Sequence, residues 1–386
     1  SRIVRFYVPN NATKHIKIIV VHPIAFSDHA AVVLSTTINN LQYTPYGKTY
    51  WKMNVSLLKE EALCKQIVDL WQQWQNKKRQ YYDVADWWEL LVKPKIKSYV
   101  KNFSYEKNQE TQQKLNFYFM CLRDLQNNYL PSNESRTKLS HFKAKILQIY
   151  RQRMEGLETR SRVNHKVENE RISLYHFMKN KRHRNSTTID KLEDTEGHIH
   201  TQQPMIYDYY NTVFHENQET NKINNNISQP RVTIEENISL EKEITKTEVY
   251  QSIVQGKKSK TPGCDGIPQE FYIKFWNLIG DDLTDVLNTV IRRKRLCKTQ
   301  QKGVIILIKK AKGINKVENF RPISLLNYDY KILARILTNR RKPLMEKLLH
   351  TSQCCGVPTR NIFDATCSLR DCVAYLQNRN IDGLLV

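Results

Sequence analysis

The sequence predicts an α+β protein that is mostly helical. Segments rich in β-branched and aromatic residues, such as HIKIIVV and HAAVVLST, fall within residues 1–38 and are separated by Pro, Asn and Asp. From about Asn54 the apolar residues recur every three or four positions, as they do on one face of a helix. Only 11 glycines occur among 386 residues, which agrees with long helices.

The chain is strongly basic. Its 61 Lys and Arg residues oppose 38 Asp and Glu residues, so the formal net charge is +23. This excess favours a polyanionic partner, either nucleic acid or an anionic membrane surface. No run of about 18 apolar residues is present to span a bilayer, so we expect no membrane partner. The eight scattered cysteines, with no secretory leader, favour a reducing compartment, the cytoplasm or the nucleus.

The middle of the chain carries several helix-like faces. Their apolar residues are Leu63, Ile67, Leu70 and Trp74 in the first face, Leu115, Tyr118, Leu122 and Leu125 in the second, and Phe142, Ile146, Ile149 and Tyr150 in the third. Four tryptophans also gather here: Trp71, Trp74, Trp87 and Trp88. We interpret them as a helix-packing core rather than as a base-stacking platform. A short aromatic helix, MIYDYYNTVF, is predicted near residue 210.

The last third begins with a capping box. Thr245 and Glu248 have the spacing at which each side chain caps the backbone of the other, and this predicts a helix start. The loop KTPGCDGIP follows, because its prolines and glycines forbid a continuous helix. A further helix is predicted with Asp281 and Asp282 at its start, where their charge suits the helix dipole.

Two segments near the carboxyl end are predicted to be buried. GVIILI is a short apolar run and is interpreted as a buried strand. Cys367 and Cys372 lie in a helix-patterned segment, where we expect them to act as small buried hydrophobes.

One window of the sequence is charged with a single sign. Ten Lys or Arg residues and no Asp or Glu occur between Val286 and Val317. A run of cations is usually a solvated face or a disordered tail. Here the cations alternate with strand and helix patterns, so they belong to folded structure. A folded surface of one sign is what phosphate binding requires.

Several motifs resemble the reverse transcriptase of non-LTR (LINE-type) retrotransposons. They are KTPGCDGIPQEFY, GVIILIKK, NFRPISLLN, QCCGVPTRNIFDA and IDGLLV, and they occur in the order of that family. SRIVRFYV followed by SDHAAVV resembles the end of the family's apurinic/apyrimidinic-type endonuclease, and YWKMN and DWWELLVKPKIK resemble its helical linker. The resemblance implies an endonuclease-type sandwich piece at 1–38, a helical linker at 39–240, and the fingers and upper palm of a right-hand polymerase at 241–386.

The endonuclease resemblance singles out Asp28 and His29. In that family the histidine of Ser-Asp-His acts at the scissile phosphodiester, a role that suits a group with a pKa near neutrality. An aspartate orients the family's histidine, but Val4 occupies its position here and cannot accept a hydrogen bond. We therefore expect this pair to be an inactive remnant.

The polymerase resemblance implies RNA template, DNA and deoxynucleoside triphosphates as partners, with Mg²⁺ as the metal. Two metal ions would be held by palm carboxylates, one on a strand and two in a later hairpin. The first of these strands begins at IDGLLV, and the paired aspartates do not occur in this sequence. We therefore expect the chain to be a fragment that holds no metal. By itself it should have neither polymerase nor endonuclease activity.

The same resemblance assigns roles to individual cations. Lys310 and Arg321 match the family's fingers residues that reach the incoming triphosphate, where the Arg fork fits phosphate oxygens and Lys adds a mobile charge. Further cations are predicted to bind nucleic acid, namely Arg292, Arg293, Arg295, Lys302 and Arg360.

Three positions depart from the family pattern. Lys309 and Cys264 stand where prolines are usual, and Thr359 stands where VPGR has glycine. If that glycine has a positive φ, the β-branched threonine is strained.

Two other interpretations remain. One is a non-catalytic protein derived from such an element that binds RNA or single-stranded DNA, and the other is a helical scaffold whose basic charge is incidental.

Overall fold

A computed structural model describes residues 16–23, 30–36, 51–127, 132–161, 192–193, 199–200, 203–215, 231–310, 316–350, 353–379 and 381. The chain divides into two compact units, one formed by residues 1–49 and 101–190 and the other by residues 50–100 and 191–386. The described residues are mostly helical with three two-stranded antiparallel sheets, which agrees with the predicted α+β class.

The first unit contains a strand pair, most of one long helix and the whole of another. Strands β1 (Ile16–Pro23) and β2 (Ala30–Thr36) pair antiparallel, as the sequence predicts for HIKIIVV and HAAVVLST. The third predicted strand, RIVRFYV, lies outside the described residues, as do Asp28, His29 and Val4.

Helices α3 (Lys93–Asn127) and α4 (Asn133–Ser161) share an apolar core in this unit. Leu115, Leu122 and Ile146 are buried there, and Tyr118, Phe142, Ile149 and Tyr150 of the two predicted faces pack around them. The prediction that these faces are helical and apolar is confirmed.

The second unit contains the remaining elements. They are α1 (Glu61–Asn76), α2 (Val84–Trp87), β3 (Leu192–Glu193), β4 (Ile199–His200), α5 (Gln203–His215), α6 (Ile234–Glu241), α7 (Lys246–Val254), α8 (Gln269–Lys274), α9 (Trp276–Arg292), β5 (Gly303–Lys309), β6 (Phe320–Leu326), α10 (Tyr328–Arg341), α11 (Met345–Leu348) and α12 (Ile362–Asn378). A π-helical stretch, Trp88–Val92, joins α2 to the start of α3. Thr245 and Glu248 form the predicted capping box at α7.

The tryptophans are core residues, as predicted. Trp71, Trp87 and Trp88 are fully buried and Trp74 is nearly so. The ring of Trp71 meets the other three edge to face, with centroids 5.6–6.2 Å apart. Such edge-to-face pairs add to the stabilisation that burial of the rings provides.

Helix α9 begins earlier than the sequence predicts. It starts at Trp276, so Asp281 and Asp282 lie in its second turn and not at its amino-terminus. Asp282 is buried and accepts hydrogen bonds from the Trp71 indole, the Gln75 amide and the Lys78 ammonium, at 3.2, 3.0 and 2.7 Å. The carboxylate therefore binds α1 and the turn after it, which explains why this position is acidic.

The prediction of a buried strand at GVIILI is half right. The segment forms β5, but its side chains are exposed or only partly buried. β5 pairs with β6 alone in a two-stranded hairpin (303–326), so neither face of the ribbon is fully covered by the described residues.

The prediction that Cys367 and Cys372 are buried is wrong. Both thiols are exposed, because no residue of α12 is buried in the part of the chain that the structure describes. A periodic apolar pattern reports that a helix can bury a face, not that a partner covers it.

The strain expected at Thr359 is present. Its φ is 70°, in the left-handed region that a β-branched residue rarely adopts. Gly356, three residues earlier, has a φ of 77°.

Candidate nucleic-acid interface

The β5–β6 hairpin brings Lys310 and Arg321 to one face. Arg321 lies opposite Ile308 in the antiparallel register, and Lys310 follows Ile308 by two residues. The backbone N–H of Lys310 donates to the Asn319 carbonyl at 2.8 Å, which continues the ladder past β5. Side chains two apart share a face of a strand, so the two residues are diagonal neighbours about 7–8 Å apart. Both are exposed.

The Lys310 ammonium is held near the hairpin backbone. Its Nζ donates to the Glu318 carbonyl at 2.8 Å. This contact uses one of three ammonium donors and leaves two for a ligand. The geometry gives a fork of donors on Arg321 and a point charge on Lys310, both directed to the same side of the ribbon.

The base of the hairpin is fixed by Asn327, which is buried. Its amide donates to the Thr299 carbonyl at 2.9 Å and accepts from the backbone N–H of Asp265 at 3.2 Å. A Cβ at residue 263 would collide with the backbone nitrogen of Asn327, so Gly263 permits this close approach. The loop KTPGCDGIP thus packs against Asn327 and fixes the junction between β6 and α10.

The other side of this loop meets the tryptophan-rich segment. The backbone N–H of Met53 donates to the Gly266 carbonyl at 2.9 Å, and the Lys97 ammonium donates to the Cys264 carbonyl at 3.2 Å. Gly266 has a φ of 76°, and a Cβ there would collide with Trp51. The loop therefore joins residues 51–97 to the hairpin.

Three predicted nucleic-acid cations lie at the end of α9 and on the connection to β5. Arg292, Arg295 and Lys302 are exposed there. Lys302 immediately precedes β5 and Lys310 follows it, so at about 3.4 Å per residue they are roughly 27 Å apart. Lys302 therefore lies at one end of the hairpin and Lys310 with Arg321 at the other, while Arg292 and Arg295 precede Lys302 in the chain.

Arg293 and Arg360 are bonded within the chain. The Arg293 guanidinium pairs with Asp83 and with Asp86, and it lies 5.6 Å from the centre of the Tyr82 ring. The Arg360 guanidinium donates to four backbone carbonyls, those of Glu346, Leu349, His350 and Gln353. Both side chains have structural partners, so they offer less to a polyanion than Arg292 or Arg295.

A buried charge cluster lies beneath this surface. The Lys93 ammonium is 2.6 Å from Asp329 Oδ2, 3.5 Å from Glu89 Oε2 and 3.7 Å from Asp265 Oδ2, and it donates to Thr299 Oγ1 at 2.7 Å. Burial alone would lower the pKa of Lys93, but Asp329, Asp265 and Glu89 outweigh it and raise that pKa. The ammonium is therefore charged inside the core.

The carboxylates of the cluster differ in their partners. Asp329 also accepts from the Trp88 indole and the Gln300 amide, at 3.3 and 3.2 Å. Asp265 Oδ2 accepts no hydrogen bond, and burial together with the charge of Asp329 raises the pKa of Asp265 to about 7. One ammonium thus faces three acidic groups, and the raised pKa of Asp265 favours its protonated form.

Sequence reasoning missed this cluster. Its members come from positions as far apart as Glu89 and Asp329, so no local motif unites them. The available signal was a charged pair, Glu89 and Lys93, inside an otherwise apolar run that begins at Trp87. Charges four apart in a buried helix require partners.

The described residues contain neither a metal cluster nor a membrane-spanning helix. No group of three or more His, Cys, Asp or Glu residues in those ranges has the arrangement of a metal site. No helix in the same ranges is long and apolar enough to cross a membrane.

Comparison with known proteins points to a transposable element. The chain is 26% identical over 392 aligned positions to the transposon TX1 uncharacterized 149 kDa protein of Xenopus laevis. The alignment covers 99% of this chain and 29% of that protein. The chain is similar to a transposon protein. No protein-family model matches it.

This similarity supports the retrotransposon origin that the motifs predict. It runs through both units and is not confined to the segment with the reverse-transcriptase-like motifs. The chain spans less than a third of the relative's length, so the activity of a whole element protein is a matter for proposal.

Proposed function

We propose that the chain is the fingers-containing part of a retrotransposon RNA-directed DNA polymerase, preceded by the end of an apurinic/apyrimidinic-type endonuclease. In this proposal it works with element RNA, nicked DNA and deoxynucleoside triphosphates, in the cytoplasm and nucleus. The observation that carries the proposal is the shared face of Lys310 and Arg321 on the β5–β6 hairpin.

The two cation sets have different roles in the proposal. Lys310 and Arg321 hold the triphosphate, because a guanidinium fork and an adjacent ammonium match its oxygens. Arg292, Arg295 and Lys302 hold the sugar-phosphate backbone of RNA or single-stranded DNA. Mg²⁺ is the metal that the complete enzyme would use to activate the primer hydroxyl and to stabilise pyrophosphate. In this proposal the residues named above contact phosphate, and palm carboxylates of the complete enzyme hold the Mg²⁺ ions.

A second candidate is a non-catalytic protein that binds RNA or single-stranded DNA. It is favoured by one observation, that three exposed cations lie apart from the proposed triphosphate pair. Such a protein needs the nucleic-acid cations Arg292, Arg295 and Lys302 but does not need the triphosphate pair. The two candidates therefore predict the same nucleic-acid binding and differ in nucleotide binding.

The shared prediction is tested by reversing charge at the end of α9. We expect Arg292→Glu, Arg295→Glu and Lys302→Glu, combined, to weaken binding of oligo(U) and oligo(dT). With three phosphate contacts removed, the salt slope of log affinity should fall by about 2 for single strands between about 50 and 200 mM salt. Arg293 is left unchanged, because its pairing with Asp83 and Asp86 is structural.

The matched control carries the same change in charge elsewhere. Lys101, Arg123 and Arg136 are exposed in α3 and α4, and their combined reversal to Glu should leave the slope within error of the unaltered chain. Equal slopes for both triple variants would assign the binding to net charge alone and favour the helical scaffold.

A further inference from the structure

Helix α5 exposes an aromatic face. Tyr207, Tyr210 and Phe214 recur at intervals of three and four residues, so they lie on one side of the helix. Tyr207 is 70% exposed and Phe214 is 67% exposed. The rings of Tyr210 and Phe214 stack, with centroids 6.2 Å apart and planes inclined by 26°. Large aromatic rings are normally buried in a core, so the exposure of Tyr207 and Phe214 requires an explanation.

The aromatic face is attached to the proposed triphosphate end of the hairpin. The Tyr210 hydroxyl lies 3.4 Å from the Phe320 carbonyl oxygen and donates to it. Phe320 is the first residue of β6 and immediately precedes Arg321. Strand β3 reaches the same region, since Glu193 forms a parallel bridge with Lys316. Tyr210 thus attaches the helix to the hairpin, and the rings of Tyr207 and Phe214 are exposed to solvent.

The surroundings of the face are mainly cationic. Lys309, Lys310, Lys316 and Arg321 lie on or next to the hairpin at this end, against Glu193 and Glu318. On α5 itself, Asp208 follows Tyr207 and is displaced by about 100° around the axis, away from the line of rings. Cations beside open aromatic rings are the combination found in sites for single-stranded nucleic acid.

We propose that Tyr207 and Phe214 on α5 form a base-stacking platform for single-stranded RNA or DNA whose phosphates contact the neighbouring hairpin cations. The inference rests on the proposed function and adds to it a position at which the bases of the strand are held. Tyr207 and Phe214 are seven residues apart, about 10.5 Å along the axis, which corresponds to roughly three base steps of 3.4 Å.

The choice of a polynucleotide follows from the chemistry of the face. Base–aromatic stacking accepts any base, because every base has a π face. A protein partner would match the charge of the hairpin cations only if it were acidic, whereas a polynucleotide offers bases to the rings and phosphates to the cations.

The test separates bases from phosphates. The full chain is compared with the variant Tyr207→Ala, Phe214→Ala, and Tyr210 is kept because it attaches the helix. The probes are oligo(U), oligo(dT) and an abasic strand of equal length and charge. We expect the variant to bind oligo(U) and oligo(dT) at least about 10-fold more weakly and the abasic strand unchanged. Different losses for oligo(U) and oligo(dT) would show which strand the platform prefers.

A matched control removes two other exposed rings. Tyr105 and Phe117 are 63% and 58% exposed on α3, and their double Ala variant should bind all three probes as the unaltered chain does. A separate reporter, Phe214→Trp, should show fluorescence quenching with oligo(U) and none with the abasic strand. Alanine favours helix, so α5 should persist in the double variant, which far-ultraviolet circular dichroism checks.

The failures are distinguishable. If the unaltered chain binds no strand, both the proposed function and the platform are overturned. If it binds but the variant weakens all three probes equally, or none, the platform alone is overturned. A variant that changes only from dimer to monomer would show that a second copy of the chain covers the rings, and this also overturns the platform.

Discussion

The ammonium of Lys93 lies 2.6 Å from the carboxylate of Asp329, and both side chains are buried. Lys93 begins α3 and Asp329 lies in the first turn of α10, directly after the hairpin that carries Arg321. Their contact joins the tryptophan-rich segment to the segment with the polymerase-like motifs. The placement of the hairpin therefore depends on residues far away in the sequence.

Replacement of Lys93 by Met should strongly destabilise the protein. It would leave Asp329, Glu89 and Asp265 buried without a cation, and breaking a buried pair in this way costs about 3–5 kcal/mol. The measurement is the free energy of unfolding by urea denaturation. Lys101→Met, at an exposed position of the same helix, is the control and should change it by less than about 0.5 kcal/mol. A loss below about 1 kcal/mol for Lys93→Met, as for exposed pairs, would contradict the account.

The carboxyl of Asp265 should make stability depend on pH. Its pKa is raised to about 7, whereas an unfolded aspartate titrates near about 3.9. Between these values the native state holds a proton that the unfolded state has lost. The stabilising contribution is therefore complete below about pH 4 and is lost as the pH rises through about 7.

Asp265→Asn isolates this effect, because an amide cannot lose the proton. From pH 5 to pH 8 we expect the unaltered chain to lose more unfolding free energy than Asp265→Asn does. Urea denaturation at several pH values measures both. Parallel pH profiles for the two proteins would show that Asp265 is already ionised in the native state at pH 5.

Thr359→Gly should stabilise the protein. The threonine has a φ of 70°, and relief of a left-handed β-branched residue should raise the free energy of unfolding by about 1 kcal/mol. The lost contact between the threonine hydroxyl and Glu346, at 3.3 Å, is exposed and offsets little. The complementary change is Gly356→Ala, where a Cβ would meet nothing within 4 Å and only the backbone opposes it.

Thermal unfolding of both variants is the measurement. A rise in Tm for Thr359→Gly together with a fall for Gly356→Ala is expected. If Thr359→Gly unfolded at or below the temperature of the unaltered chain, the strain at this position would be refuted.

Local patterns in the sequence predicted local structure well. The capping box of Thr245 and Glu248, the helical face that includes Leu63 and Ile67, and the pairing of β1 with β2 depend on residues near each other in the chain. Trp71 was assigned to a core because a large ring at helical spacing is usually buried. Each of these inferences needs only propensity and periodicity.

Contacts between residues far apart in the chain could not be predicted from the sequence. Asp282 looked like a residue of a first turn, and its real partners, Trp71 and Lys78, are more than 200 positions earlier. Cys367 shows the converse, since its apolar pattern gave no sign that the described residues leave it exposed. Among the predicted site residues, Arg292 and Arg293 are adjacent and chemically equal, and only the carboxylates of Asp83 and Asp86 distinguish them.

In the proposed function Arg321 holds triphosphate while the cations at the end of α9 hold nucleic acid. Parallel measurement of deoxynucleoside triphosphate and oligo(U) affinities for the unaltered chain, Arg321→Ala, Arg321→Lys and Arg292→Ala separates the two roles. We expect Arg321→Ala to weaken triphosphate binding about 10-fold or more and to leave oligo(U) within about twofold. Arg321→Lys should recover part of the loss, because one ammonium replaces a fork.

Arg292→Ala should show the reverse, with oligo(U) weakened and triphosphate unchanged, since Arg292 ends α9 whereas Arg321 lies on β6. We therefore expect each substitution to weaken the binding of one ligand and not of the other. If Arg321→Ala weakened oligo(U) binding and left triphosphate affinity unchanged, Arg321 would belong to the nucleic-acid surface, and the assignment of a nucleotide site to the β5–β6 hairpin would be wrong.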